Sequence, residues 1–197
     1  MALKDEILKV KRDHSNYLYH FTRKKLKHTF EGEGFDKKIV STETTKALDV
    51  LKNIISTQKL IGSSTWIKGG TKCVCFSETP LHELVRLMSY DWWDKNRYEM
   101  YGVALQKEWF FKQGGRPVIY EMDGEEKFLQ AGQNQHLHVR YSPGVDDFTW
   151  EREWRVKMDS LPVSFDHSIF IVPTAHEALD IMNTFGGVRA VSMELFL

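Results

Sequence analysis

The chain has 197 residues, 42% of them hydrophobic and 13% aromatic, enough for one domain whose core needs neither disulfides nor a structural metal. Lys plus Arg and Asp plus Glu number 27 each, so the formal net charge is zero and a chain-wide attraction to nucleic acid is not expected, although a local basic patch is allowed. Residues 1–6 carry no signal-peptide apolar run and no stretch reaches the ~18–20 apolar residues of a membrane span, so a cytoplasmic protein without a membrane partner is expected.

Residues 2–14 suit a short helix, with Leu3, Ile7, Leu8 and Val10 on its apolar side. A cationic cluster of Lys9, Lys11, Arg12, Arg23, Lys24, Lys25 and Lys27 is the one marked charge asymmetry. Its plain reading is a solvated face. Residues 17–22 read as a strand of aromatic and β-branched character. Residues 23–40, charged and glycine-containing, read as a loop. Residues 42–58 form the clearest helix, capped by Thr42 or Thr44, with Ala47, Leu48, Leu51, Ile54 and Ile55 at helical spacing.

Residues 72–76 are the next strand. Thr79 then caps a second helix with Pro80 at its first position and Leu81, Leu84, Val85 and Met88 as its stripe. A strand follows over 100–106, a short helix or strand extension over 107–112, a Gly114–Gly115 turn, and a strand over 117–121. Residues 122–149 read as helix plus loop. Strands over 150–157 and 168–172, a helix over 174–184 and a last strand over 188–197 complete the chain. About seven strands and three or four irregularly interspersed helices make an α+β fold, a single domain over 1–197 with mainly antiparallel sheets.

The run Trp150-Glu151-Arg152-Glu153-Trp154-Arg155-Val156 stands out. As a strand it puts Glu151, Glu153 and Arg155 on one face, with the two carboxylates roughly 6–7 Å apart. Such a pair repels unless cations or a ligand hold it, and it suits chemistry that orients a sugar hydroxyl or stabilises a developing cation. Cross-strand Glu–Arg pairing is the bland alternative. His20 shares a strand face with Thr22, offering a ring nitrogen and a hydroxyl; its plain reading is a half-buried strand histidine. Ser77 and Glu78 end a strand just before a helix start, where anions are favoured, or else they simply cap.

His136 and His138 have strand-ligand spacing but no carboxylate or cysteine at a matching distance. Cys73 and Cys75 read as buried strand thiols. No Gly-x-Gly-x-x-Gly, P-loop, His-Glu-x-x-His or Gly-x-Ser-x-Gly is present, which disfavours dinucleotide binding of the Rossmann kind, P-loop phosphoryl transfer and α/β-hydrolase chemistry. The adjacent Trp92 and Trp93 read as a packed lid or as base-stacking residues.

Leu18-Tyr19-His20-Phe21-Thr22, Val74-Cys75-Phe76-Ser77-Glu78-Thr79-Pro80 and Glu151-Arg152-Glu153-Trp154-Arg155, in that order, resemble bacterial abortive-infection proteins of the AbiGi-like kind. The same layout resembles the ADP-ribosyltransferase superfamily, including DarT-like toxins that modify nucleic acid. The resemblance implies split, mainly antiparallel sheets holding NAD in a cleft, with an early His, a middle Ser and a late Glu. It implies His20 at the NAD ribose or phosphate beside Tyr19, Thr22 on the nicotinamide side and Ser77 lining the pocket. Glu153 would hold the 2′-hydroxyl of the nicotinamide ribose and stabilise the oxocarbenium-like cation. Glu151 would position or deprotonate the acceptor. No Tyr follows the middle strand as in the poly-ADP-ribosyl group, and Ser-Thr-Ser is absent.

The implied activity is NAD-dependent ADP-ribosylation of nucleic acid or protein by an anti-phage or toxin effector, restrained by a cognate antitoxin. The alternatives are a noncatalytic regulatory or antitoxin-like module on the same fold, and a metal-dependent hydrolase using Glu151, Glu153, His136 and His138.

Overall fold

The computed structural model describes residues 15–31, 38–90, 98–124 and 133–196. Its centre is a seven-stranded sheet of order β13-β12-β6-β1-β5-β10-β7. These strands are β1 (Tyr17–Phe21), β5 (Cys73–Ser77), β6 (Gly102–Gln106), β7 (Arg116–Pro117), β10 (Glu153–Lys157), β12 (Ser168–Val172) and β13 (Ala190–Ser192). Only the β12–β13 pair in this sheet is parallel. Three two-stranded sheets accompany it: β2 (Lys25–Glu31) with β3 (Lys38–Thr45), β4 (Lys59–Ile61) with β11 (Ser160–Pro162), and β8 (Ile119–Glu121) with β9 (His138–Arg140). The fold is therefore mixed α and β with a mostly antiparallel main sheet. Among the described residues it has four α-helices: α1 (Ala47–Thr57), α2 (Leu81–Ser89), α3 (Lys107–Lys112) and α4 (Ala175–Thr184).

Alternation along β1 explains the layers. Leu18 packs into one core with Phe76, Val103 and Phe170, while Tyr19 and Phe21 pack into a second with Leu84, Val85 and Met88. Successive strand residues point to opposite faces, so both faces need cover. Leu51, Ile54 and Ile55 of α1, Phe110 of α3, and Ala178 and Ile181 of α4 cover the first. α2 and Met193 cover the second. Each large side chain buried this way contributes about 1.5–3 kcal/mol. Gly102 lets β6 approach β1 closely, since a Cβ there would lie 2.6 Å from the His20 carbonyl oxygen.

Several elements differ from the sequence reading. The loop read over 23–40 gives way, among the described residues, to β2 over 25–31 and the start of β3 at Lys38, and β3 runs on to Thr45. The helix over 42–58 is correspondingly shorter. It starts after Lys46, with no side-chain cap, because Thr42 and Thr44 are strand residues opposite His28 and Leu26. Their β-branching suits the ladder better than a helix. α2 starts one residue after Pro80, which is itself the cap. Residues 116–121 split between β7 and β8, in different sheets. The last strand is only Ala190–Ser192, followed by a 3₁₀ turn.

The stretch over 150–157 divides as well. Thr149–Glu151 is a 3₁₀ turn, Arg152 takes a left-handed conformation at φ 45°, and β10 begins only at Glu153. Glu151 and Glu153 thus do not alternate along one strand. The helix expected over 2–14 and the Trp92–Trp93 pair lie outside the described residues.

Candidate functional site

β1 and β5 lie side by side but barely join. β1 pairs with β6 at five residues and β5 pairs with β10 at five, whereas β1 meets β5 only at Tyr19↔Ser77. Beyond that point the His20 ring stands in for the ladder, its Nδ1 2.8 Å from the Cys75 carbonyl oxygen. A carbonyl only accepts, so Nδ1 carries the proton and Nε2 is left as an acceptor. Burial lowers the His20 pKa, and the Cys75 carbonyl pulls more weakly the other way. The ring also packs against Phe76, with centroids 5.5 Å apart.

A cleft of about 100 Å³ opens at this split. Its lining includes Tyr19 and His20 from β1, Cys75 and Ser77 from β5, and Glu153 from β10. Phe21 and Phe76, Leu84 and Met88 of α2, Tyr98, Trp150 and Glu151 complete the wall. Early, middle and late segments of the chain therefore meet on three neighbouring strands.

The turn carrying Glu151 is latched to the end of β5. Three successive residues there bind three successive carbonyls. The Ser77 hydroxyl donates to Glu151 O at 2.5 Å, the Glu78 amide to Arg152 O at 3.1 Å, and the Thr79 hydroxyl to Trp150 O. Tyr120 adds a fourth tie: its hydroxyl donates to Phe148 O at 3.2 Å and accepts from the Glu153 amide at 3.1 Å. Ties on both sides hold Arg152 in its left-handed conformation, which costs a side-chain-bearing residue about 1–2 kcal/mol.

Glu153 is clasped by Arg155. Nε donates to Oε1 at 2.9 Å and Nη2 to Oε2 at 2.8 Å, a two-pronged pair in which both side chains are largely buried. The remaining guanidinium nitrogen, Nη1, donates to the carbonyls of His136 at 2.7 Å and His138 at 3.2 Å. Burial disfavours the Arg155 charge, but Glu153 outweighs it and raises the pKa. Arg155 takes one lone pair on each oxygen and the Cys75 thiol is a further partner of the carboxylate, so the clasp orients Glu153 and leaves only part of its accepting capacity. Burial and then the Glu153 charge push the Cys75 thiol well above its ordinary range, which leaves it protonated and a poor nucleophile.

The predicted residues separate into groups. His20, Tyr19, Ser77, Glu151 and Glu153 line the cleft. Tyr19 reaches toward Ser15, its hydroxyl 3.1 Å from Ser15 Oγ. Thr22 is not a lining residue. It is buried past the end of β1, and its hydroxyl donates to the carbonyls of Ala47 and Tyr101, both at 3.1 Å. With its one proton so used, Thr22 braces the base of α1. His136 and His138 meet the site through their carbonyls rather than their rings, and among the described residues no group of three or more His, Cys, Asp or Glu comes together to hold a metal. Sequence reasoning missed Tyr98, Trp150, Leu84 and Met88 as wall residues. The two aliphatic ones gave only a core-like stripe.

On the opposite face Glu78 accepts from Lys107 Nζ at 2.8 Å and Trp154 Nε1 at 2.7 Å. Burial alone would raise its pKa, but these two bonds win and lower it.

No family model, curated protein or solved structure matches this chain. Among the described residues no helix is long and apolar enough to cross a membrane.

Proposed function

We propose that this protein is an ADP-ribosyltransferase with an α+β, split-sheet fold of that superfamily, an effector of the toxin or anti-phage kind that transfers ADP-ribose from NAD to nucleic acid or protein. One observation carries the reading: His20, Ser77 and Glu153, from three separate segments, line one cleft where the central sheet parts. In this reading the neutral His20 accepts a ribose hydroxyl at Nε2. Glu153, aimed by Arg155, accepts the 2′-hydroxyl of the nicotinamide ribose. Its negative charge is worth more as the C1′–nitrogen bond breaks, the bonding pair leaves with nicotinamide and positive charge grows on the ribose. The acceptor then bonds to C1′ and gives its proton to Glu151. Ser77 and Tyr19 shape the pocket, Ser77 by holding the turn that carries Glu151.

The test is purified protein with labelled NAD, with and without cell extract, beside Glu153→Gln. Label passing to nucleic acid or protein, and lost in the variant, is the expected result. Absence of both transfer and NAD binding in the native protein would overturn the proposal.

The Arg155 clasp favours a second reading, since it pairs the Glu153 charge within the protein itself. In that reading the cleft is a noncatalytic binding site of an antitoxin-like or regulatory module. NAD binding without cleavage would select it.

A further inference from the structure

Both main-chain groups of Glu153 are used toward residues 118–120. Its carbonyl accepts from the Val118 amide at 2.9 Å, and its amide donates to the Tyr120 hydroxyl at 3.1 Å. A regular antiparallel pair would send that second bond from the Glu153 amide back to the Val118 carbonyl. Here the chain leaves β7 at Pro117 and enters another sheet at Ile119, and the Tyr120 side chain supplies the acceptor instead. A phenol has one proton to give, and this one goes to the Phe148 carbonyl at 3.2 Å. That carbonyl also accepts from the Glu151 amide at 3.0 Å. Hydrogen bonds therefore run without a gap from one glutamate to the other: Glu153 amide, Tyr120 hydroxyl, Phe148 carbonyl, Glu151 amide. The covalent route between the same two residues passes through Arg152 in its left-handed conformation, a state that persists only where the surroundings enforce it. Burial raises the Tyr120 pKa, the Glu153 amide pulls the other way, and the charges of Glu153 and Glu151 raise it again. The phenol thus lies in the field of both carboxylates and keeps the proton that closes the bridge. Tyr120 does not itself line the cleft, so whatever it does there it does through the glutamates.

We infer that Tyr120 is a positioning residue whose hydroxyl fixes the placement of Glu151 relative to Glu153. Its catalytic consequence rests on the transferase reading, in which one glutamate holds the ribose while the other takes the acceptor proton. Chemistry shared between two carboxylates needs both at once, and a displacement of about 1 Å costs on the order of a hundredfold in rate.

The test compares the native protein with Tyr120→Phe, which keeps the ring and removes only the hydroxyl. Amide hydrogen exchange, followed by NMR without NAD, reads the bridge directly. In the native protein the Glu151 and Glu153 amides should both be protected. In the variant both should exchange roughly fivefold faster, the loss expected for one hydrogen bond, while the Arg155 and Val156 amides of β10 keep their rates. With labelled NAD, kcat for transfer should fall roughly tenfold or more and KM should change by less than about threefold. Unprotected Glu151 or Glu153 amides in the native protein, or unchanged exchange at either in the variant, would overturn the inference. So would a rise in KM at constant kcat, or a kcat that falls only in proportion to the folded fraction. Protection in the native protein decides the matter if the variant fails to fold. Because the exchange arm needs no NAD, a native protein that transfers nothing counts against the transferase reading and leaves the bridge to be judged by exchange.

Discussion

His20 Nδ1 donates to the Cys75 carbonyl at 2.8 Å across the gap where β1 and β5 part. One imidazole thus replaces a rung of the sheet, and His20 also lines the cleft. Burial lowers the His20 pKa below its ordinary 6.5. Between the folded value and 6.5 the unfolded chain binds the extra proton, so the contribution of His20 lowers stability as pH falls below about 6.5 and levels off below the folded value. Urea unfolding across this window should show a smaller pH slope in His20→Gln. An imidazole resonance of His20 titrating at or above 6.5 would contradict the assignment.

Glu153→Gln should lose NAD cleavage, and it should also cost stability. Removing a partner from a buried ion pair costs roughly 3–5 kcal/mol. Gln keeps one acceptor for Arg155, so a loss of about 2–3 kcal/mol is expected. Denaturant midpoints measured beside the transfer assay separate the two effects. A variant as stable as the native protein would show that the Arg155 clasp contributes little.

Ser77→Ala and Thr79→Val each remove one donor from the latch on residues 150–152. A single such hydrogen bond is worth about 1 kcal/mol. Each variant should therefore stay folded, with Tm lowered by a few degrees, while NAD turnover falls by at least tenfold because the Glu151 turn loses its position. Turnover that falls only in proportion to the folded fraction would mean that the latch serves stability alone.

Glu78 has its pKa lowered from 4.5 by Lys107 and Trp154 against the opposing effect of burial. A depressed carboxylate stabilises the fold above the unfolded value and loses that contribution as pH falls through the folded one. The difference in stability between native protein and Glu78→Gln should be full at neutral pH and shrink below about pH 4.5. A difference that stays constant down to the lowest pH at which the protein folds would place the effect in packing rather than charge.

Much of the scaffold was legible locally. The aromatic and β-branched run of β1, the Cys-x-Cys strand, the stripe of α2 and the helix over 174–184, which the structure starts at Ala175, each signal themselves within a few residues. The β2–β3 ribbon was not legible. In β2 the apolar face of Leu26 and Phe30 is interrupted by His28, and Gly32 and Gly34 follow at once, so the apolar period-two signal that marks a strand is weak. The break at Arg152 was hidden for a different reason. Nothing in Trp-Glu-Arg-Glu-Trp favours a left-handed residue, and the hydrogen bonds that hold it come from β5 and Tyr120.

The site divides the same way. By itself the sequence determined which residue types were present, that the chain could bury a mixed α and β core, and that its charges sum to zero. Tertiary structure decided which of them meet. Ser77 holds Glu151 across 74 positions, and His20 finds Cys75 across 55. It also withdrew Thr22 from the cleft by giving its single proton to Ala47 and Tyr101. Periodicity and capping are local free-energy preferences that a short window records. Partner choice depends on which distant backbone groups burial leaves unpaired, and that is settled only when the strands come together.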